Sequence, residues 1–106
     1  MNTYTCINVN DALNLIQEGA TVADIRDGGS YASSHITNAV NLNNDNVQAF
    51  IETTAKDTPV VVCCYHGNSS KGAAEFLAEQ GFSQVYSLNG GFSQWSAMYP
   101  DHCEIG

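Results

Sequence analysis

Cys64 is placed where a thiol does chemistry. It follows the run Val60-Val61-Val62-Cys63 and precedes Tyr65-His66-Gly67-Asn68-Ser69-Ser70, a loop that is small and polar apart from one ring. Such a loop curls so that successive backbone N–H groups point inward and form an anion-binding nest. The helix expected from about Ser70 adds its own unpaired N–H groups and the positive end of its dipole. A thiol facing these donors has its thiolate stabilised and its pKa lowered. Strand, cysteine, polar turn and helix make the arrangement a nucleophilic thiol requires. The structural alternative is an inert buried thiol acting as a small hydrophobe, the common fate of a strand cysteine. The loop that follows favours the nucleophile.

The neighbouring residues divide into supporters and bystanders. Cys63 points to the opposite face of its strand and is expected to pack against a helix rather than to act as a resolving thiol. Lys71 stands in the first helical turn, where a cation opposes the dipole. It either adds positive potential to an anion site or pairs with Glu75 at i, i+4. His66 either assists proton transfer or is an exposed loop residue. Cys6 and Cys103 have no motif around them.

The elements that position this loop follow from periodicity. Thr5–Val9 reads as a short strand, and Asn8 or Asn10 caps a helix carrying Val9, Leu13 and Ile16 and ending at Gly19. Ala20–Ile25 is a second strand, closed by Asp27-Gly28-Gly29, and Ser30 is placed to cap a short helical turn with Tyr31 and Ala32. Ala39–Leu42 is a third, short strand, followed by a helical face of Val47, Phe50 and Ile51. Pro59 opens the strand 60–64, whose unbroken β-branched character predicts burial on both faces. A helix over about 70–80 stops at Gly81, and Val85–Leu88 is the last strand. Phe92, Trp95 and Met98 mark the expected buried side of a final helix. Strands alternating with helices over short links predict an α/β fold with a mostly parallel sheet. Ligands of such sheets bind just beyond the carboxyl ends of the strands, where Cys64 stands.

Composition narrows the partners. The chain has 106 residues, 43% of them hydrophobic, enough for one domain spanning 1–106 with its own core. Three lysines and arginines against eleven acidic residues leave a net charge of −8. Nucleic acid and anionic membrane are poor partners for a chain without clustered cations. The four cysteines include no C-x-x-C pair, and their spacing with histidine fits no zinc knuckle, so neither metal nor cofactor is expected. The opening MNTYTCINVN lacks the basic start and apolar stretch of a signal peptide. A reduced, cytoplasmic setting is the expectation, and thiols are then available for reaction.

Three stretches in order resemble a known family. Cys64-Tyr65-His66-Gly67-Asn68-Ser69-Ser70-Lys71-Gly72-Ala73-Ala74 resembles the active-site loop and following helix of a rhodanese domain. It is most similar to the bacterial single-domain thiosulfate sulfurtransferases of the GlpE type. Asp24-Ile25-Arg26, with Tyr31, His35-Ile36 and Ala39, resembles the signature D-x-R-x-x-x-E-F/Y-x-x-G-H-I-x-G-A. Leu88-Asn89-Gly90-Gly91-Phe92-Ser93-Gln94-Trp95 resembles L-x-G-G-F-x-x-W. The first signature is broken by Ser30 in place of glutamate and by Ser34 and Asn38 in place of glycine, changes that bear on turn geometry.

The resemblance implies a five-stranded, mostly parallel sheet flanked by helices on both faces. It implies a double displacement in which the Cys64 thiolate takes the outer sulfur of thiosulfate, sulfite leaves, and a persulfide remains. Cyanide, or a dithiol such as reduced thioredoxin, then accepts the sulfur. The backbone N–H groups of Tyr65, His66, Gly67, Asn68, Ser69 and Ser70 would hold substrate charge, with Lys71 in support. Asp24, Arg26 and His35 match signature positions taken as structural, and Trp95 with Gly90-Gly91 as packing and close backbone approach. A cysteine phosphatase of the Cys-x5-Arg type would carry arginine at the place of Ser70, and its phosphate would here lose a bidentate clamp. A rhodanese module that only binds proteins or senses sulfur would not need the nucleophile. A thioredoxin-like role would need C-x-x-C.

Overall fold

The computed structural model describes residues 3–106. The first strand, β1 (Tyr4–Ile7), stops two residues short of the expected boundary. Asn8 turns out of it as the N-cap of α1 (Val9–Gln17), accepting the Asp11 N–H on Oδ1 at 2.8 Å. β2 (Thr21–Asp24) leads to α2 (Gly28–Ser33). Asp27, not Ser30, caps α2, because its carboxylate reaches both the Ser30 N–H at 3.1 Å and the Ser30 hydroxyl at 2.9 Å. There follow β3 (His35–Ile36), β4 (Val40–Asn41), α3 (Val47–Thr53), β5 (Val60–Cys63), α4 (Ser69–Glu79), β6 (Val85–Leu88) and α5 (Gly91–Met98). A 3-10 turn over Pro100–His102 leads to β7 (Cys103–Glu104).

Five strands form one parallel sheet in the order β1-β6-β5-β2-β4, as an α/β alternation demands. All of β5 is buried, and its alternation divides the core. Val60 and Val62 pack with Ala74, Leu77 and Phe82 on the side of α3 and α4. Val61 and Cys63 pack with Val9, Ala12 and Trp95 on the other side, where Tyr31 of α2 joins them. Each of the larger side chains, such as the valines, Leu77 and Phe82, contributes on the order of 1.5–3 kcal/mol by leaving water. Helices therefore cover both faces, and the end of β5 is held from every side. That end carries Cys64.

Two further features depart from the sequence-based expectation. Met98 is 53% exposed rather than buried. Tyr99, one position later and four after Trp95, takes that place, its ring lying edge-on to the indole at 5.2 Å. Met98 closes the helix on its solvent side. The second departure is a small antiparallel pair, β3 with β7, which docks the C-terminal segment beside α2. Cys103, without a motif in sequence, is a partly buried strand residue of that pair packed against the Trp95 cluster. No helix among the described residues is long and apolar enough to cross a membrane.

Candidate active site

Cys64 is the first residue beyond β5 and only 4% exposed. Two backbone donors converge on its sulfur: the N–H of Gly67 at 3.1 Å and the N–H of Ser70 at 3.2 Å. Gly67 turns its amide inward with φ +93, and a Cβ there would lie 2.9 Å from the N of Gly90 and 3.0 Å from the O of Leu88. Only glycine fits that conformation and that gap. Ser70 is the second residue of α4, so its N–H is one of those a helix start leaves unpaired.

A second helix start holds the loop from behind. The N–H of Phe92 donates to the carbonyl of Cys64 at 2.8 Å, and the N–H of Ser93 to that of Tyr65 at 3.0 Å. Both donors belong to the first turn of α5 and have no partner within their own helix. In a trans peptide the N–H points away from the C=O. Anchoring the Tyr65 carbonyl on α5 thus turns the His66 N–H toward the sulfur. Gly91 makes the approach possible: with φ +58, its Cβ would stand 2.5 Å from the Cys64 O and 2.6 Å from both C and O of Tyr65.

Burial by itself pushes the Cys64 thiol upward. Hydrogen bonds from the Ser70 hydroxyl and from the N–H groups of Ser70, Gly67 and His66 outweigh it, and the net pKa is lowered. Cys63, fully buried on the other face, is driven the opposite way by burial, with the Asp24 charge adding to it. Two adjacent thiols therefore have opposite characters, one ionisable within a nest of donors and one held neutral in the core.

Around this centre the remaining residues serve as framework. Arg26 forks onto Asp24, with Nε 3.0 Å from Oδ1 and Nη2 2.7 Å from Oδ2, and Nη2 also donates to the Ser34 carbonyl at 2.7 Å. Its guanidinium lies 4.1 Å from the centre of the Phe92 ring and 5.8 Å from that of Tyr65. The pair thus braces the end of β2 under both the loop and α5. The Tyr65 hydroxyl bonds Asp27 and Ser30, and chiefly that Tyr65 bond holds the Asp27 carboxyl down to about 2. His35 stacks on Tyr31 at 3.8 Å and bonds the Tyr31 carbonyl and Glu104. Asn38, where the signature has glycine, adopts φ 68, and its N–H donates to Glu104 at 3.0 Å. Ser34 has extended backbone that needs no glycine.

The loop residues are not equivalent. Tyr65, His66, Asn68 and Ser69 are exposed, whereas Gly67 and Ser70 are buried at the sulfur. Lys71 is exposed and, among the described residues, forms no ion pair with Glu75 or any other carboxylate. A cavity of about 590 Å³ opens nearby, walled by Ile25, Leu42, Val47, Phe76 and Leu77 with Asp27 at its edge. Among the described residues no cluster of His, Cys, Asp and Glu is placed to hold a metal ion. Sequence reasoning passed over two participants. One is the pair of α5 amides behind the loop. The other is Ser87, a fully buried hydroxyl 2.8 Å from that of Ser70. A polar residue inside an otherwise apolar strand was its only signal.

Comparison with known proteins agrees with the geometry. Residues 8–98 match the model of the Rhodanese-like domain. A rhodanese-related protein from Thermoplasma volcanium is similar at 29% identity and TM-score 0.76, over 90% of this chain and 93% of that one. A rhodanese-like domain protein from Staphylococcus aureus matches at 21% identity and TM-score 0.80, over 96% and 98%. The chain also superposes on 18% of the reduced CoADR-RHD of Bacillus anthracis, at 20% identity and TM-score 0.80 over 94% of its own length. With a cysteine-headed loop between β5 and α4 and a family match running from α1 to the end of α5, this chain belongs to the rhodanese-like family.

Proposed function

We propose that the chain is a thiosulfate sulfurtransferase working through a persulfide on Cys64, as in the GlpE-type enzymes its loop resembles. The Cys64 thiolate attacks the outer sulfur of thiosulfate. The S–S bond breaks, sulfite leaves with the bonding pair, and Cys64 keeps the sulfane sulfur. A thiophilic acceptor then attacks that sulfur and returns the cysteine as thiolate. Cyanide leaves as thiocyanate. A dithiol such as reduced thioredoxin releases the sulfur as sulfide and is oxidised to its disulfide. One transfer is thereby split into two displacements at the same sulfur.

The observation that carries the reading is the convergence of the Gly67 and Ser70 N–H groups on the Cys64 sulfur. Hydrogen bonds to a charged group are worth about 1.5–3 kcal/mol each, so the nest favours thiolate over thiol and persulfide anion over its neutral form. The donors are neutral main-chain groups that need no reorganisation as charge moves from nucleophile to persulfide. Arginine would be required at the place of Ser70 for a phosphate clamp, and Ser70 is a neutral hydroxyl. With Arg26 committed to Asp24 and Lys56 to the Ile51 carbonyl and the Phe82 ring, Lys71 is the cation left to draw the dianion to the mouth. We place the activity in the cytoplasm, where reduced thiols are at hand.

Steady-state assay of thiosulfate with cyanide tests this. Thiocyanate should form with parallel double-reciprocal lines, the signature of a substituted-enzyme mechanism, and Cys64→Ser should make none. A wild-type chain that binds thiosulfate but yields no thiocyanate would be a binding module instead.

A further inference from the structure

We propose that Ser87 is a positioning residue for Cys64: it donates to the Ser70 hydroxyl and so commits that hydroxyl to donate to the sulfur. Ser87 lies in β6 on the same face as Val85, which packs with Ala74 and Leu77 of α4. Its oxygen is 2.8 Å from that of Ser70, and both residues are fully buried. Among the described residues neither hydroxyl has another hydrogen-bonded partner; Ser70 adjoins the Cys64 sulfur, to which its N–H donates at 3.2 Å, and its hydroxyl helps to hold the thiol pKa down. A serine in a first helical turn ordinarily bonds back to a nearby carbonyl or caps its own helix. Ser70 does neither.

Burial decides the direction of the pair. Two hydroxyls share one hydrogen bond, so one proton is left over. If Ser70 donates to Ser87, the leftover proton sits on Ser87, sealed from water without an acceptor, which carries a desolvation penalty. If Ser87 donates to Ser70, the leftover proton sits on Ser70, next to the Cys64 sulfur. Every polar hydrogen is then used, provided the sulfur accepts. A thiolate or persulfide anion accepts. A thiol brings its own proton and competes for the lone pairs of Ser70. The relay Ser87 to Ser70 to Cys64 thus penalises the protonated cysteine and favours the charged one. The titratable and charged groups packed around this point are Cys6 on β1, the register partner of Ser87, Cys63 on β5, Asp24 and Arg26 at the end of β2, Tyr65 and His66 on the loop, and Lys71 on α4. None of them hydrogen-bonds either hydroxyl.

The inference rests on Cys64 being the nucleophile, and its test reads Cys64 without thiosulfate, so its failure is separable from failure of the sulfurtransferase reading. The rate of iodoacetamide alkylation against pH reports the midpoint of Cys64, with Cys64→Ser as the blank. Ser87→Ala should raise that midpoint by roughly half to one pH unit, and Ser70→Ala by more. The double variant should match Ser70→Ala alone, because Ser87 acts only through Ser70. A second pair, Ser87→Thr and Ser87→Val, is alike in shape and differs in the hydroxyl, so it carries the same comparison if the alanine variant is too unstable to titrate. The valine form should titrate higher than the threonine form. An unmoved midpoint in Ser87→Ala, an equal midpoint in the threonine and valine forms, or a full Ser87 effect persisting in the Ser70→Ala background would overturn the proposal.

Discussion

Replacing Gly91 by alanine should perturb the Cys64 thiol from behind, through the main chain of the loop and without changing the sulfur or any loop side chain. The added Cβ would lie 2.5 Å from the Cys64 carbonyl oxygen and 2.6 Å from the C and O of Tyr65, all main-chain atoms with no rotamer to escape by. Relief requires α5 and the loop to separate by roughly half an ångström or more, since carbon–oxygen contacts much closer than van der Waals distance are strongly repulsive. The left-handed φ of +58 costs alanine a further ~1–2 kcal/mol. Two hydrogen bonds span that junction, from Phe92 and Ser93, each worth about 0.5–1.5 kcal/mol. Together these give a loss of about 2–5 kcal/mol, a large part of the ~5–15 kcal/mol that holds a domain.

The chemical consequence is more specific than the loss of stability. Once the Tyr65 carbonyl is released, the His66 N–H no longer has a fixed direction, and the thiolate loses one charge-assisted bond. At ~1.5–3 kcal/mol that is roughly one to two pH units in the Cys64 midpoint. Denaturant unfolding measures the first effect and pH-dependent alkylation the second, on the fraction still folded. A Gly91→Ala protein with the original stability and the original midpoint would refute the claim that α5 holds the loop.

Gly72, in the interior of α4 with nothing within 4 Å of an added Cβ, is the contrasting case. Gly72→Ala should raise stability by ~0.5–1 kcal/mol through helix propensity while sulfur transfer is unchanged, read by denaturant midpoint and thiocyanate rate. Lys71→Glu should raise the KM for thiosulfate about two- to five-fold at low salt, corresponding to ~0.4–1 kcal/mol at an exposed site, with the difference fading as salt is added. An unchanged KM would leave the backbone alone to bind the anion. Cys63 predicts a pH effect of definite sign: its thiol is held far above its ordinary value by burial, so it stays neutral in the fold while the unfolded chain ionises above about pH 9. Unfolding then releases a proton, and stability falls as pH rises past that point, by up to ~1.4 kcal/mol per pH unit. Cys64, lowered in the fold, contributes with opposite sign below that range. The alkaline loss should therefore shrink in Cys63→Val to the part contributed by Cys103, whose thiol burial also raises, as unfolding curves from pH 7 to 10 would show.

Much of this was legible along the chain because it is local. Val60 to Cys63 announces a strand buried on both faces, and alternation alone sends Cys63 into the Trp95 cluster. The loop from Tyr65 to Ser70 and the glycines at 67, 90 and 91 sit in contiguous runs whose backbone demands can be read directly. What escaped is set by contacts between distant segments. The amides of Phe92 and Ser93 reach carbonyls of residues 64 and 65, and nothing in either run encodes the other. Ser87 meets Ser70 only because β6 lies beside β5, and strand order is not a local property. The pairing of His35–Ile36 with Cys103–Glu104 joins two-residue segments too short to carry a period. At the end of α5, a spacing of three from Trp95 pointed to Met98, whereas packing selected the spacing of four and Tyr99. At α2, a serine in the preferred class of cap lost to an aspartate three residues earlier that could accept from both its N–H and its hydroxyl.

The central claim is that Cys64 carries the sulfur, and intact-mass measurement tests it most directly. After incubation with thiosulfate and removal of excess reagent, the chain should gain one sulfur atom. Fragmentation should place it on Cys64 and not on Cys6, Cys63 or Cys103, and cyanide should remove it as thiocyanate. No gain in mass, or a sulfur retained by the Cys64→Ser protein, would contradict the account.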